Sequence, residues 1–217
     1  MKKERLILLG VISFLLFLFI IILVTNIDVK PIGPDQSIIG LSTINQYVFE
    51  LFGVHLIWYH ITDWLGLVAI LVAFIFAVVG FVQLVKRRSF LKVDKDITLL
   101  GIFYIVVISI YIFFEMNIIN YRPVIIYEGL EASFPSSHTF IVMFIMLTAI
   151  IQCKIRIKNR SMRITLITIS YIIILVTVIG RLISGVHWIT DITAGIILST
   201  SLMFFYKAIL VSSKKSN

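Results

Sequence analysis

A single cysteine, Cys153, stands among 217 residues, so no disulfide can form within the chain. Without a CxxC pair there is no zinc or redox motif either. Charge is also scarce: Asp, Glu, Lys and Arg make up 14% of the residues, far less than a soluble domain of this size exposes. The first apolar run, Leu6 to Val24, follows Lys2, Lys3 and Arg5 as a signal peptide would. Its core is too long for one and no small-residue cleavage site follows, so it reads as a retained span. No internal repeat links the apolar stretches. What remains is hydrophobic: 60% of the residues, with a mean hydropathy of +1.09. That composition is the signature of an integral membrane protein.

A helix needs about 20 apolar residues to cross a hydrocarbon core of roughly 30 Å. Six runs meet or approach that length: 6–24, 64–85, 97–114, 139–153, 164–183 and 188–206. The fourth is short and is expected to begin upstream, in the polar stretch Phe134-Pro135-Ser136-Ser137-His138. The formal net charge of +8 is not read as a nucleic-acid footprint, because the basic residues sit in blocks between the apolar runs. With the N-terminus in the cytoplasm, 16 of the 19 Lys and Arg residues fall inside, Lys207, Lys214 and Lys215 among them; only Lys30, Arg122 and Arg181 fall outside. By the positive-inside rule both termini are cytoplasmic. The expected fold is therefore all-α: one domain over residues 1–217, a polytopic membrane bundle of six transmembrane helices.

The connection from Thr25 to Asp63 is too long for a turn. Pro31, Gly33 and Pro34 break helix at its start. Ile38, Leu41, Ile44, Val48, Leu51 and Phe52 then recur at intervals of three and four, as in an amphipathic helix lying on the extracytoplasmic membrane surface. Trp58, Tyr59 and Trp64 read as an interfacial aromatic belt. His55 and His60 are assigned no chemistry.

All four histidines fall on the outer side, and three outer segments gather the remaining polar residues. One runs from Glu115 to Arg122-Pro123. The second is Pro135-Ser136-Ser137-His138. The third contains Arg181, His187 and Asp191. Spaced four apart, His187 and Asp191 share a helix face, where a carboxylate can fix the imidazole tautomer and free the other ring nitrogen. Arg181 offers a forked donor for phosphate oxygens. Pro135 and Ser136 suit a helix start, whose free N–H groups point at an anion, and His138 in the first turn is placed to protonate a leaving oxygen. Taken singly, Arg122-Pro123 also fits a plain turn, and His187 with Asp191 also fits a structural hydrogen bond or two ligands of a metal site. Two neighbouring arginines repel a divalent cation and attract an anion, so together the residues point to a phosphate site.

Arg-Pro, then Pro-Ser-Ser-His, then Arg-x5-His-x3-Asp resembles the three-part signature of the type-2 phosphatidic acid phosphatases. That superfamily includes bacterial undecaprenyl pyrophosphate phosphatases and the soluble vanadium haloperoxidases. The motif core spans residues 115–191, and the six-span layout extends the resemblance over nearly the whole chain. The resemblance implies His187 as the nucleophile of a phosphohistidine, Asp191 as its orienter and His138 as the general acid. Arg122, Arg181, Ser136 and the backbone of Ser137 would hold the phosphoryl oxygens, with no metal and no cofactor. It implies a lipid phosphatase of the cell membrane acting at the outer leaflet, with undecaprenyl pyrophosphate as the expected substrate. Phosphatidylglycerol phosphate or phosphatidate is the alternative within the class, and a non-catalytic lipid-phosphate carrier the alternative outside it. The sequence departs from the family at two positions. Ser137 replaces a glycine, and Glu115 replaces a lysine seven residues before the arginine. Glu115 is expected to pair with Arg122 or Arg181 and orient it; the other readings are that it points away or that it weakens activity.

Overall fold

The helices follow the apolar runs. The computed structural model describes residues 2–213, which places Lys214 and Lys215 of the topology argument outside the described residues. Among the described residues there are seven α-helices: α1 Lys3–Asn26, α2 Ser42–Phe52, α3 Leu56–Arg87, α4 Lys95–Met116, α5 Ser137–Arg156, α6 Arg160–Ile183 and α7 Ile189–Ser213. All except α2 are long and apolar enough to cross a membrane. The largest departure from the sequence reading is α3, which starts at Leu56 rather than Trp64. Asp63, taken above as the end of a loop, lies about two turns inside a helix.

Burial separates inner helices from outer ones. About half of α5 and α7 is buried, 56% and 50% of their most apolar windows, against 11–22% for the other four spans. These two helices form the centre, and they also carry the polar motifs at one end. Outer helices attach through small residues, as expected where lipid supplies no hydrophobic drive for association. On α1 the buried residues are Leu6, Gly10, Phe17 and Val24, a stripe facing α7. A Cβ on Gly10 would lie 2.9 Å from the Phe205 ring, and Ser201 Oγ donates to the Gly10 carbonyl at 2.9 Å.

An ion-pair network closes the end of the bundle where α3 and α5 end and α4 begins. Arg156 reaches Asp94 at 3.1 Å and Asp96 at 2.6 Å, and Arg87 reaches Asp94 at 2.7 Å. Gln152 links Arg156 to the Tyr206 hydroxyl. Hydrogen bonding from Arg87 is the largest influence holding the Asp94 carboxyl below its ordinary range.

At the opposite end α2 is amphipathic, but its attachment is polar. Ile44, Tyr47 and Leu51 are exposed, whereas Ser42 and Asn45 are buried. Asn45 donates to the Gly40 carbonyl at 2.8 Å and exchanges hydrogen bonds with Thr190 in the first turn of α7. The aromatic belt is only partly a belt: Trp64 is exposed, while Tyr59 is buried and faces the site.

Candidate active site

The polar island rests on aromatic rings. Phe134 is buried, stacked 6.2 Å from Phe17 and set edge-on 6.1 Å from Phe114. The segment before it folds back as a short hairpin, in which Arg122 N–H donates to the Glu131 carbonyl and Ser133 N–H to the Asn120 carbonyl. The Trp188 indole N–H donates to the Tyr121 carbonyl at 2.7 Å and ties this hairpin to the start of α7. Ser136 caps α5 and donates its own N–H to the Asp191 carbonyl at 3.0 Å. The opening N–H groups of α5, from Ser137 onward, have no intrahelical partner and no side-chain cap.

On the other side, α6 ends with Arg181, fully buried. The turn that follows needs Gly185. Its φ is +67°, and a Cβ there would meet the Gly53 carbonyl oxygen at 2.4 Å. This turn delivers His187 to the centre of the site.

His187 and Asp191 do meet, but through a third residue. Nδ1 of His187 lies 3.8 Å from Asp191 Oδ2 and 3.1 Å from Ser133 Oγ, and that hydroxyl donates to Asp191 Oδ2. Ser133 has one hydrogen, and Asp191 takes it. Its oxygen must therefore accept from His187 Nδ1–H, an assignment made from the hydrogen-bond network. Asp191 also accepts from Trp188 N–H at 2.9 Å and Asn120 Nδ2 at 3.4 Å. The tautomer so fixed leaves His187 Nε2 as a bare lone pair, buried and without a partner. Burial first, then the charges of Arg122, Arg181 and His138, push the His187 imidazole well below its ordinary range. It is neutral and unprotonated at Nε2 near neutral pH.

Around that nitrogen, other buried groups also lack partners. They are Nδ1 of His138, Nε and Nη1 of Arg122, and Nε and Nη1 of Arg181. Buried polar atoms are nearly always satisfied. Two half-satisfied guanidinium forks and two imidazoles in one place form a socket for a tetrahedral oxyanion.

Each arginine already faces one carboxylate. Arg122 Nε lies 3.0 Å from Glu131 Oε2, too poorly aligned for a hydrogen bond, and Arg181 Nη2 lies 2.5 Å from Asp63 Oδ1. Neither partner is Glu115, and this corrects the expected pairing. Glu115 is exposed at the last turn of α4 and acts on the Tyr111 hydroxyl one turn earlier. The carboxylates that reach the arginines come from the hairpin and from α3. The same Asp63 oxygen lies 3.1 Å from His138 Nε2. Beside it a cleft of about 270 Å³ opens between α3, α4 and α5. His138, Asp63 and Ser137 stand on its polar side, and Leu67, Ile70 and Ile141 line the rest.

Of the expected site residues, the structure brings His138, His187, Asp191, Arg122 and Arg181 into one cluster. Ser136 lies beneath them, its hydroxyl accepting from Thr139 Oγ1 at 3.1 Å, and Ser137 opens the adjoining helix. Ser133, Asp63, Glu131 and Asn120 were not expected. Among the described residues, no three His, Cys, Asp or Glu side chains gather as a metal-binding set.

A family model described as the PAP2 superfamily matches residues 113–214. That region, a little under half of the chain, belongs to this superfamily. With this PAP2 region and six apolar spans among the described residues, the chain is a multi-pass membrane phosphatase, a phosphoric ester hydrolase. The matched region holds all three sequence motifs and leaves out α1, α2 and α3. No curated relative matches this PAP2 chain by sequence. Its fold matches the crystal structure of a transmembrane PAP2-type phosphatidylglycerolphosphate phosphatase from Bacillus subtilis. The TM-score is 0.64 at 17% identity, covering 94% of this chain and 96% of that one. At that identity the likeness is one of fold.

Proposed function

We propose that the protein removes a phosphate from a lipid phosphate or pyrophosphate at the extracytoplasmic face through a phosphohistidine. One observation carries this reading: the bare, buried Nε2 of His187 stands among unsatisfied arginine and histidine nitrogens, beside a cleft with apolar walls. In the first step Nε2 attacks phosphorus and the phosphorus–oxygen bond to the leaving group breaks. His138 supplies the proton that the leaving oxygen takes. In the second step water attacks the phosphorus, the phosphorus–nitrogen bond breaks and returns the lone pair to Nε2, His138 takes a proton from the water, and inorganic phosphate leaves. Arg122, Arg181 and the opening amides of α5 hold the charge that spreads over the equatorial oxygens. Ser133 and Asp191 hold the His187 ring. No step draws on a metal or cofactor.

The outward orientation rests on the basic residues: Arg87, Lys95, Arg156 and Arg160 lie at the ends of the spans remote from the site. A site facing outward meets lipid phosphates displayed in the outer leaflet. Undecaprenyl pyrophosphate is the substrate we infer, since it is released there and must lose a phosphate to be reused. A second reading, phosphatidylglycerol phosphate, is favoured by the charge balance. Glu131 and Asp63 already offset Arg122 and Arg181, which suits a monoester better than a more highly charged diphosphate. The fold neighbour also carries that substrate in its name.

The test is phosphate release from a panel of both lipids and phosphatidate, in EDTA, by wild type and His187→Ala. Wild-type release that persists in EDTA and is abolished by the substitution is the expected result. Equal release by the two proteins would falsify the nucleophile assignment, and loss in EDTA would remove the metal-free mechanism.

A further inference from the structure

Helix α3 lies outside the region that the family model matches, yet one of its faces runs along the Arg181 and His138 side of the site. Tyr59, Asp63 and Gly66 are spaced four and three apart, which stacks them on a single stripe. The Tyr59 ring lies 5.0 Å from the Arg181 guanidinium carbon, and its hydroxyl is 3.4 Å from that of Tyr127. Asp63 Oδ1 takes both Arg181 Nη2 and His138 Nε2. Gly66 sits directly against the imidazole: a Cβ there would lie 3.1 Å from His138 Cδ2 and 3.3 Å from Nε2. The stripe thus has a side chain over the arginine, a carboxylate between the arginine and the histidine, and an absent side chain where the histidine ring rests.

We propose that Asp63 is a positioning residue for the acid step, holding His138 as Asp191 and Ser133 hold His187. The inference rests on the phosphatase reading above. His138 Nε2 faces Asp63 Oδ1 at 3.1 Å; with a proton assigned to that side, Nδ1, buried and without a partner, is the nitrogen that carries the transferable proton. When both nitrogens are protonated, Asp63 is the counter-charge of the imidazolium. As the phosphorus–oxygen bond breaks, the Nδ1 proton passes to the leaving oxygen. The ring is left neutral, with its Nε2–H still on Asp63. Because the same carboxylate oxygen grips Arg181, the acid is fixed relative to the group that holds the phosphoryl oxygens. A role confined to neutralising Arg181 would need no contact with His138 and no vacancy at Gly66.

The two roles separate by leaving group. An alkoxide leaving group needs a proton, whereas p-nitrophenolate leaves without one. The full-length protein, wild type and Asp63→Asn, is assayed with phosphatidylglycerol phosphate and with p-nitrophenyl phosphate. The thermal midpoint of each preparation is recorded alongside. The expected result is a fall in kcat of roughly 100-fold on the lipid monoester, the range of a lost general acid, with a far smaller change on the aryl ester. Asp63→Glu, which keeps the charge on a longer arm, recovers part of the lipid activity and serves as the second variant if Asp63→Asn does not accumulate. Equal losses on the two substrates, or no loss on either, overturn the proposal. A wild type that releases phosphate from neither substrate removes the phosphatase reading itself. His187→Ala that retains activity on both removes the nucleophile while leaving Asp63 open to the same leaving-group comparison.

Discussion

The site contains two histidines with opposite surroundings. His187 is almost completely buried, and its carboxylate stands one hydroxyl away, with Ser133 between Nδ1 and Asp191. His138 is part-exposed to the cleft, and its carboxylate, Asp63, touches the ring directly. A neutral bridge fixes a tautomer without placing a full anion on the ring, which suits a group that must offer a lone pair. Direct contact with a carboxylate supports the charged ring, which suits a group that must give up a proton. In the proposed mechanism each role is set by what the second nitrogen touches, not by the histidine itself.

The largest expected effect comes from removing the proposed nucleophile, His187. His187→Ala drops phosphate release to background on every leaving group, whereas His138→Ala spares p-nitrophenyl phosphate; a steady-state assay of both variants on both substrates checks this. Next comes Ser133→Ala, which leaves Nδ1 and Asp191 separated by 3.8 Å without a bridge. Loss of the group that supports a metal-bound histidine costs about 10- to 100-fold, and a loss of the same order is expected at this metal-free histidine. Here the loss falls equally on lipid and aryl substrates, unlike that of Asp63→Asn. A loss confined to the lipid would mean that Ser133 serves the acid instead.

The pH profile sharpens the same contrast. Because burial and the neighbouring cations depress His187, its protonation, which removes the lone pair, sets in only well below the ordinary imidazole range of about 6.5. The acidic limb of kcat/KM therefore lies below that value. Arg122→Gln removes one of the depressing charges, so the limb moves to higher pH even though total activity falls; a limb that stays in place shows that Arg122 does not act on His187. The smallest effect is expected at Glu115. Both arginines have other carboxylate partners, so Glu115→Lys should change turnover by no more than a few-fold, through long-range attraction for the phosphate. A loss above 10-fold, measured on the lipid panel, would restore Glu115 to the site.

The spans were legible in the sequence because lipid imposes length and apolarity on any helix that crosses it. His187 and Asp191 were legible because four residues make one helical turn. Asp63 was not, for a specific reason. Hydropathy begins at Trp64, so a reading by apolarity starts the helix there, while the helix itself begins at Leu56 and carries polar and aromatic residues through the interface. Its contact with Arg181 crosses 118 positions of sequence, and no local pattern encodes that. Ser133 lies just before the polar stretch and suggests no task in sequence, because a bridging hydroxyl is defined only by the distance it fills. Glu115 misled through its position in the motif: its place in sequence is that of a phosphate ligand, but the last turn of α4 aims it elsewhere.

Helix α2 has its greasy residues on one side and Asn45 on the other, and Asn45 grips Thr190, the neighbour of Asp191. It is a float moored to the turn that aligns the nucleophile. The depth at which it rides among the headgroups is passed on through Asn45 itself, with no slack chain in between. With α2 lying in the membrane surface as its sequence pattern implies, a change in bilayer thickness would reach the turn beside His187 through the Asn45–Thr190 hydrogen bonds.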